Sequence, residues 1–377
     1  MEKIGIYIYN GASTDFLGVD KKISGQISVF SKYYHMERVV IEKEKTNLIK
    51  SLSWRLPGGS WGADYESALR RIDEISQLGN IHFFYIRQKL ADKRYVSFLF
   101  SLKQKYPNAL LLFEIPAWPY DKEVLKDKTM WPWYFKDLFY SKQLNKCVNR
   151  IVTFADEDYI WNIQTIKAMN GMDVSAFSLS EPVNDDRIKL IGVAMMQPYH
   201  GFERIIKGLA RYYENGGDRD IQIDFIGYGT ELENYLELTQ RLNLSDRIHF
   251  KGKMGGEELD KAYNGCDLAI GSLGGYKIGI YLFSSIKLGE YLAKGLPIVT
   301  GGRTLVFEKY GGRYNLDFPN DDSDIDMNRV VEFYDGLYSG RDKAEVRKEI
   351  HDFAQKSIDI NIAMRDVISY LRNGERG

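Results

Sequence analysis

Short apolar runs alternate with helical repeats along this chain, and the alternation occurs twice. Apolar runs of about four to eight residues between turn residues are typical of buried strands, and the intervening segments carry the 3.6-residue period of a helix. This alternation predicts parallel sheets with crossover helices. We therefore expect an α/β fold with two doubly wound, Rossmann-like domains that face each other across a cleft. Strands are predicted at residues 4–9, 38–41, 81–86, 110–115 and 150–154, and at 189–195, 222–226, 248–252, 268–271 and 297–300.

The chain length also favours two domains. At 377 residues the chain exceeds a comfortable single core. Residues 178–187 contain Ser, Glu, Pro, Asn and Asp and break both periodicities, so they are the predicted linker. We place the first domain at 1–180 and the second at 181–350. A last helical segment, 351–377, can return to the first domain.

The composition limits the classes of partner. A net charge of -1 gives no global attraction to nucleic acid, so we expect no nucleic-acid partner. Cys147 and Cys266 lie in separate halves without metal-ligand spacing, which favours a reducing compartment. The first residues lack a signal-peptide pattern, and no apolar stretch reaches the ~20 residues of a membrane span. We expect a cytoplasmic protein and leave open a contact with the inner face of the membrane.

Segment 284–302 joins a helix start, a helix end and a buried strand around one carboxylate, Glu290. Ser284 or Ser285 can cap the helix, and Gly295 can take the left-handed closing position. The free amides and positive dipole end of a helix start bind phosphate. A diphosphate bound there would place an attached ribose near Glu290, which can accept hydrogen bonds from two neighbouring hydroxyls.

Four consecutive strand ends in the second half lead into glycine-rich turns. In open parallel sheets ligands bind outside the carboxyl ends of the strands, so these turns are candidate sites. Arg204 can make a forked contact with phosphate. Alternatively, Arg204 is an ordinary surface residue and His200 only caps the helix. The other candidates in these turns are Gly201, Gly227, Gly229, Lys253, Ser272 and Lys277.

The first half offers fewer polar candidates. A long loop, 11–18, follows the first predicted strand and ends at Gly18, and it can close over bound phosphates. Arg87 and Glu114 stand at the ends of two other strands and are predicted to face the cleft. Glu114 can position or deprotonate an acceptor hydroxyl. A buried carboxylate satisfied by loop amides is the alternative.

Several of these segments, in this order, carry a resemblance to a known family. The second half, from 188 to 302, resembles the donor-binding domain of retaining glycosyltransferases of the GT-B fold, specifically glycosyltransferase family 4. Segments 152–155 and 167–173 resemble that family's chain before the linker. Segments 18–22, 114–116 and 119–121 resemble bacterial capsule and exopolysaccharide members. The matching segments of the second half are 227–231, 250–252, 266–272, 287–290 and 294–298.

The resemblance implies a metal-independent glycosyltransferase acting in surface polysaccharide synthesis. It would move a hexose or N-acetylhexosamine, with retention, from a nucleotide diphosphate sugar, most simply UDP-linked, to a glycan or lipid-linked oligosaccharide. The leaving diphosphate itself would take the acceptor proton. No cofactor besides the donor is implied. In this picture Glu114, Arg204 and Lys287 would act in catalysis, and Arg87 and Asp121 would contact the acceptor. The residues expected to bind the donor are Gly18, His200, Gly201, Gly227, Gly229, Lys253, Ser272, Lys277, Ser284, Ser285 and Glu290.

The sequence departs from the family pattern at two places, which changes the residues expected to bind the sugar and the diphosphate. Members commonly carry a pair of glutamates, of which the second corresponds to Glu290, whereas Leu282 holds the first position here. Leucine cannot accept hydrogen bonds from sugar hydroxyls, so recognition of the sugar would move to Ser284, Ser285 or Lys277. The usual basic pair after the first strand of this domain is also absent. Arg204, Lys277 and Lys287 are the substitutes, although Lys287 shares a helical face with Glu290 and can form a structural ion pair instead.

Two other function classes remain open. A GT-B sugar-nucleotide epimerase would use similar domains without an acceptor. A non-catalytic nucleotide-binding protein is the second alternative. Acidic triplets at 156–158 and 322–324 lie in polar connections and are predicted to be solvated loops, so no metal site is predicted. The aromatic segment 131–140 is either a helix packed inside its domain or a face that meets a membrane or a lipid-bearing substrate.

Overall fold

The computed structural model describes residues 2–11, 17–44, 59–60 and 62–373. The chain folds into two compact units. Unit 1 comprises Met1–Met169 and Ala363–Gly377, and unit 2 comprises Asn170–Ile362. The segment predicted as a linker, 178–187, belongs to unit 2, where the Ser180 hydroxyl donates a 2.8 Å hydrogen bond to the Lys294 carbonyl.

Unit 1 is built on one sheet with the strand order β2-β1-β3-β4-β5-β7-β6. All neighbours are parallel except β6 and β7. Its strands are β1 (Lys3–Asn10), β2 (His35–Ile41), β3 (Asn80–Arg87), β4 (Leu110–Ile115), β5 (Arg150–Thr153), β6 (Tyr159–Ile160) and β7 (Ile163–Lys167). Its helices are α1 (Leu17–Phe30), α2 (Tyr65–Ser76), α3 (Lys93–Lys105), α4 (Asp121–Lys126) and α5 (Trp131–Tyr140).

Unit 2 contains a fully parallel sheet with the order β10-β9-β8-β11-β13-β15. Its strands are β8 (Ile188–Met195), β9 (Ile221–Tyr228), β10 (Ile248–Phe250), β11 (Leu268–Ile270), β13 (Ile298–Thr300) and β15 (Asn315–Asp317), and a separate pair is formed by β12 (Leu282–Phe283) and β14 (Arg303–Thr304). Its helices are α6 (Phe202–Glu214), α7 (Leu232–Arg241), α8 (Gly256–Tyr263), α9 (Ile286–Ala293), α10 (Leu305–Tyr310), α11 (Met327–Tyr338), α12 (Lys343–Ser357) and α13 (Ile360–Ala363), after which α14 (Arg365–Asn373) belongs to unit 1.

Local sequence explains where many helices begin. The Asp92 carboxylate accepts the amide hydrogen of Tyr95 at 2.8 Å and caps α3. Asp64 caps α2 in the same way through the Ser67 amide. Such caps satisfy amides that have no partner within the helix. The apolar faces of these helices then pack on strands whose central side chains are buried at consecutive positions, and Ile6 and Phe84 are two of these buried residues.

The strand orders locate the ligand-binding edge of each sheet. In unit 2 the strand order reverses between β8 and β11, as it does in a doubly wound sheet that binds dinucleotides, and this place is the topological switch point. Among the described strands of unit 1 the order reverses between β1 and β3. Ligands of such sheets bind at this switch point, outside the carboxyl ends of the strands. The loops after β8 and β11 therefore lie where a ligand of unit 2 is expected.

All ten predicted strands are present, with small shifts at their ends. The sequence patterns missed β15, which has three residues, and the two-residue strands β6, β12 and β14, which are too short to show an alternation. Helix α1 begins at Leu17, earlier than predicted, so Gly18 lies in its first turn rather than in a loop. Residues 12–16 of the predicted phosphate loop lie outside the described residues.

Candidate functional site

The loops that follow β8, β9, β11 and β13 are joined by backbone hydrogen bonds at one edge of the unit 2 sheet. The Met196 amide donates to the Tyr228 carbonyl at 2.7 Å. The Leu273 amide donates to the His200 carbonyl at 2.8 Å, and the Gly301 amide donates to the Ser272 carbonyl at 3.0 Å. These bonds bring His200, Gly201, Gly227, Gly229 and Ser272 together, as the strand ends predicted.

His200 closes a short turn between β8 and α6. Its Nδ1 accepts the Gln197 amide hydrogen at 3.0 Å, which completes a capping box. Burial lowers the pKa of His200 to about 4, so the ring is neutral at pH 7. Because Nδ1 accepts a hydrogen bond, the proton lies on Nε2, which is left as a donor.

Gly201 allows two loops to meet closely. Its φ of 63° lies in the left-handed region, and a Cβ there would stand 2.6 Å from the Gly274 amide nitrogen. Gly227 has a φ of 130°, and its Cβ would stand 1.8 Å from the Ala194 carbonyl oxygen. Glycine is required at both positions to bring neighbouring strand ends together.

Tyr228 is an exposed aromatic residue that the sequence analysis did not select. It ends β9 between two glycines, and Lys253 Nζ lies 5.6 Å from its ring centroid. A solvent-facing ring beside a cation at the ligand-binding edge can stack on a planar group. An aromatic residue flanked by glycines at a strand end is the signal that could have identified it.

Arg204 has internal partners in place of the predicted phosphate. Its side chain is 1% exposed, and its guanidinium donates to three backbone carbonyls. These carbonyls belong to Leu273, Pro319 and Ser323, so the side chain joins the start of α6 to two other loops. With its donors used in this way, Arg204 ties the loop after β11, which carries Leu273, to the start of α6 and does not itself face a ligand.

Lys277 is held in an ion pair. Its ammonium donates to the Glu203 carboxylate, and both side chains are partly exposed. Asn320 fixes the same loop, since its Oδ1 accepts the Tyr276 amide hydrogen at 2.9 Å and its Nδ2 donates to the Ile280 carbonyl at 2.8 Å. Lys277 is thus positioned at the switch point, beside the start of α6.

The predicted helix around Glu290 is confirmed as α9. Ser285 is its N-cap and accepts the Leu288 amide hydrogen at 3.3 Å, and Gly295 has a φ of 79° after the last turn. Ser284 instead bonds to Asn170, because its Oγ accepts the Asn170 amide hydrogen at 3.3 Å. Of the two serines proposed as the cap, Ser285 takes that role.

Both oxygens of the Glu290 carboxylate have partners. The Tyr263 hydroxyl donates to Oε1 at 2.8 Å, and Lys287 Nζ donates to Oε2 at 2.9 Å. Burial and the adjacent carboxylate raise the pKa of Tyr263 well above its ordinary value, so its hydroxyl remains a donor. The ion pair with Lys287 is the alternative that the helical spacing left open. Tyr263 lies in α8 and was not selected from the sequence.

Leu282 lies in β12, opposite Arg303 of β14, and is partly buried. The position where the sequence resemblance led us to expect a glutamate thus lies in a short two-stranded sheet immediately before α9. The Leu282 side chain is a hydrocarbon and cannot accept hydrogen bonds from a sugar. The structure therefore agrees with the sequence, in which leucine stands where the resemblance predicts a glutamate.

Glu114 of unit 1 is enclosed by donors. Its side chain is 0% exposed, and it accepts hydrogen bonds from Tyr85 at 2.6 Å, Gln26 at 2.6 Å and Arg87 at 2.5 Å. Lys22 Nζ lies 3.4 Å from its Oε1. Burial alone would raise the pKa of Glu114, but the adjacent cations and hydrogen bonds outweigh burial and hold that pKa below its ordinary value. Side chains, rather than the loop amides considered from the sequence, satisfy this carboxylate.

The remaining predicted residues of unit 1 lie in two places. Arg87 pairs with Glu114 and is mostly buried, so the two candidates form one cluster. Asp121 is the first residue of α4 and is partly buried. Burial lowers the pKa of Lys22 to about 8, and its ammonium lies 3.7 Å from the Phe154 ring centroid.

Comparison with known proteins gives a match to one family model over part of the chain and identifies the fold. Residues 176–305 match the family model described as Glycosyl transferases group 1. No curated protein matches the chain. Solved structures align over nearly its whole length at low identity, which establishes the fold. The chain has the GT-B fold.

Three structures with this GT-B fold illustrate the likeness. The Anabaena protein HepE, in complex with UDP, is 12% identical with a TM-score of 0.62, and 99% of this chain and 100% of that chain align. The lipopolysaccharide outer core galactosyltransferase WaaB is 12% identical with a TM-score of 0.61 over 98% and 99% of the two chains. The pneumococcal O-GlcNAc transferase GtfA, in complex with UDP and GlcNAc, is 10% identical with a TM-score of 0.59 over 100% of both chains.

The described residues of the GT-B chain contain neither a cluster of metal ligands nor a helix that could span a membrane. Across the described residues, no group of three or more His, Cys, Asp and Glu side chains is placed to hold a metal ion. Within the same part of the chain, every helix is too short or too polar to cross a membrane.

Proposed function

We propose that this GT-B chain is a retaining glycosyltransferase that transfers a hexose or N-acetylhexosamine from a UDP-sugar to a glycan in surface polysaccharide synthesis. The observation that carries the proposal is the meeting of four strand-end loops at the switch point of unit 2, within the segment that matches Glycosyl transferases group 1. A lipid-linked oligosaccharide is the acceptor we favour, and it would bring the enzyme to the inner face of the membrane.

The start of α9 is the proposed diphosphate site. Ser285 Oγ already accepts the Leu288 amide hydrogen, which leaves the amides of Ile286 and Lys287 for a ligand. The helix dipole and the Lys287 ammonium add positive charge. Stabilising the charge that develops on the leaving diphosphate lowers the barrier to transfer. Lys287 is 33% exposed, so it can turn from Glu290 to the phosphates.

Glu290 is the proposed ribose contact. Tyr263 holds Oε1 and thereby fixes the orientation of the carboxylate. When Lys287 turns to the diphosphate, Oε2 becomes free to accept hydrogen bonds from ribose hydroxyls. Lys287 would then leave the Glu290 carboxylate and pair with the phosphates as the nucleotide binds.

Catalysis in this proposal uses neither a metal ion nor a protein base. Helix α9, Lys287 and Lys277 supply the charge that a metal would otherwise provide. The leaving diphosphate oxygen takes the proton of the acceptor hydroxyl while the new glycosidic bond forms on the same face of the sugar. The enclosure of Glu114 by four donors supports a positioning role for that carboxylate rather than proton transfer.

His200 and the exposed ring of Tyr228 complete the donor site that we propose. The Nε2 hydrogen of a neutral His200 would donate to the sugar or the phosphate, and Tyr228 with Lys253 would contact the base. The ligands of HepE and GtfA, UDP and GlcNAc, support a UDP-linked donor. The outer core activity named for WaaB supports a surface glycan as acceptor.

A donor screen tests this function. The protein is incubated with individual UDP-sugars, with and without lipid extracts from bacterial membranes, and UDP release and product mass are measured. We expect release that depends on the extract, persists in EDTA and yields a product with the anomeric configuration of the donor. An isomerised UDP-sugar formed without extract would identify an epimerase instead. UDP binding without turnover of any donor would favour a non-catalytic nucleotide-binding protein, and loss of turnover in EDTA would contradict the metal-free mechanism.

A further inference from the structure

Helix α5 buries one face and exposes an apolar one. Trp133, Lys136 and Asp137 are buried on its inner side. Its outer side carries four large apolar residues with the following exposed fractions: Trp131 42%, Phe135 60%, Leu138 43% and Phe139 65%. These four residues, named here the apolar stripe, lie at helical positions i, i+4, i+7 and i+8, which share one face.

The apolar stripe is carried by a firmly anchored helix. The Asp137 carboxylate accepts hydrogen bonds from the Ala91 amide and the Tyr120 hydroxyl. Lys136 Nζ donates to the Gly59 carbonyl at 3.0 Å. Because these bonds fix the inner side of α5, the exposure of the stripe follows from the packing of the helix and not from fraying.

Water contact with such a stripe is unfavourable. Covering apolar surface contributes roughly 25 cal/mol per Å², and aromatic side chains carry large areas. Other exposed apolar residues in the described chain, such as Leu78 and Tyr159, are separate from the stripe in sequence. Isolated exposed residues need no explanation, whereas four on one face indicate a surface that is covered in use.

Exposed lysines flank the stripe on both sides. They precede α5 in the segment from α4 onward and follow it in the next turn, and Asp127 is an exposed acidic residue among them. The whole chain has a net charge of -1, so this concentration of positive charge is local. Apolar residues bordered by lysines match a bilayer with anionic headgroups. The exposed lysines are Lys122, Lys126, Lys128, Lys142 and Lys146.

We propose that the apolar stripe docks on the surface of an anionic lipid bilayer. Trp131, Phe135, Leu138 and Phe139 enter the boundary between headgroups and acyl chains, and the flanking lysines contact anionic headgroups. Each lysine near such a surface contributes about 1 kcal/mol. Lipid binding is measured without donor or acceptor, so this proposal can fail while the proposed transferase activity stands, and the reverse.

Co-sedimentation with vesicles tests the docking surface. We compare vesicles of phosphatidylcholine alone with vesicles that also contain phosphatidylglycerol. We expect binding to the mixed vesicles, weakened by added salt. The variant with Phe135→Ser and Phe139→Ser should bind about tenfold more weakly, since it removes two apolar contacts. Lys142→Glu with Lys146→Glu should lose most binding to the mixed vesicles.

A matched control removes exposed apolar residues elsewhere in unit 1. The variant with Leu78→Ser and Tyr159→Ser should bind the mixed vesicles as the unchanged protein does, and all variants should unfold at similar temperatures because the substituted residues are exposed. Equal vesicle binding by the serine variant of the stripe would overturn the proposal, as would no binding of the unchanged protein to mixed vesicles. A dimer in light scattering that the same variant converts to a monomer would assign the stripe to a second copy of this chain instead.

Discussion

The hydroxyl of Tyr263 donates a 2.8 Å hydrogen bond to Oε1 of Glu290. Tyr263 is fully buried at the end of α8, whereas Glu290 lies in α9, so the bond joins two helices. It leaves Oε2 to Lys287, which is partly exposed. The carboxylate is therefore oriented by a fixed partner on one oxygen and a movable partner on the other.

Tyr263→Phe should weaken UDP binding about tenfold while leaving the fold intact. Hydrogen bonds to charged groups contribute roughly 1.5 to 3 kcal/mol, and part of this orients Glu290 for the ribose. Titration calorimetry with UDP measures the change. Tyr213→Phe is the matched control, because the Tyr213 hydroxyl bonds to the Arg219 carbonyl elsewhere in unit 2. Unchanged affinity in Tyr263→Phe would remove the tyrosine from the donor site.

Glu290→Gln tests the carboxylate itself. The amide keeps the size of the side chain but donates from one side, so it cannot accept from Tyr263 and from two ribose hydroxyls together. We expect weaker UDP binding and an unchanged circular dichroism spectrum. In the double variant with Tyr263→Phe, the second change should add less than it does alone, because both alter one contact. Full additivity would show that the two residues act separately.

Lys287→Met should lower kcat by about a hundredfold, because a cation that stabilises the leaving diphosphate mainly acts in the transition state. Methionine preserves the stem of the side chain and the helix propensity. Steady-state UDP release measures kcat and KM separately. Lys261→Met, on the exposed face of α8, is the control. A rise in KM at constant kcat would instead place Lys287 in ground-state binding.

Local signals in the sequence predicted α9 well. A serine cap and a glycine with positive φ bound it, and both act within a few residues. The bond from Tyr263 to Glu290 could not be predicted, because it depends on how α8 packs against α9. Arg204 shows the same limit. Its place after β8 suggested a phosphate contact, but the carbonyls that enclose it come from loops distant in the sequence.

Arg204→Ala should lower the free energy of unfolding by about 3 to 5 kcal/mol, because it leaves buried carbonyls without donors and opens a cavity. Chemical denaturation measures this change. Lys207→Ala, one turn further along α6, should have little effect. If Arg204→Ala kept wild-type stability but lost turnover, the arginine would act on the substrate after all.

His200 should make the protein less stable in mild acid. Burial lowers the pKa of folded His200 to about 4 from its ordinary value of 6.5. Between these values the unfolded chain binds a proton that the folded one excludes, so stability falls as pH drops through this window, by up to about 3 kcal/mol. His200→Gln retains an acceptor for the Gln197 amide but does not titrate. In denaturation series from pH 7 to pH 4, this variant should lose less stability than the unchanged protein. The control His35→Gln, at an exposed site, should lose as much stability as the unchanged protein. Parallel losses in all three proteins would show that His200 already titrates in the folded state.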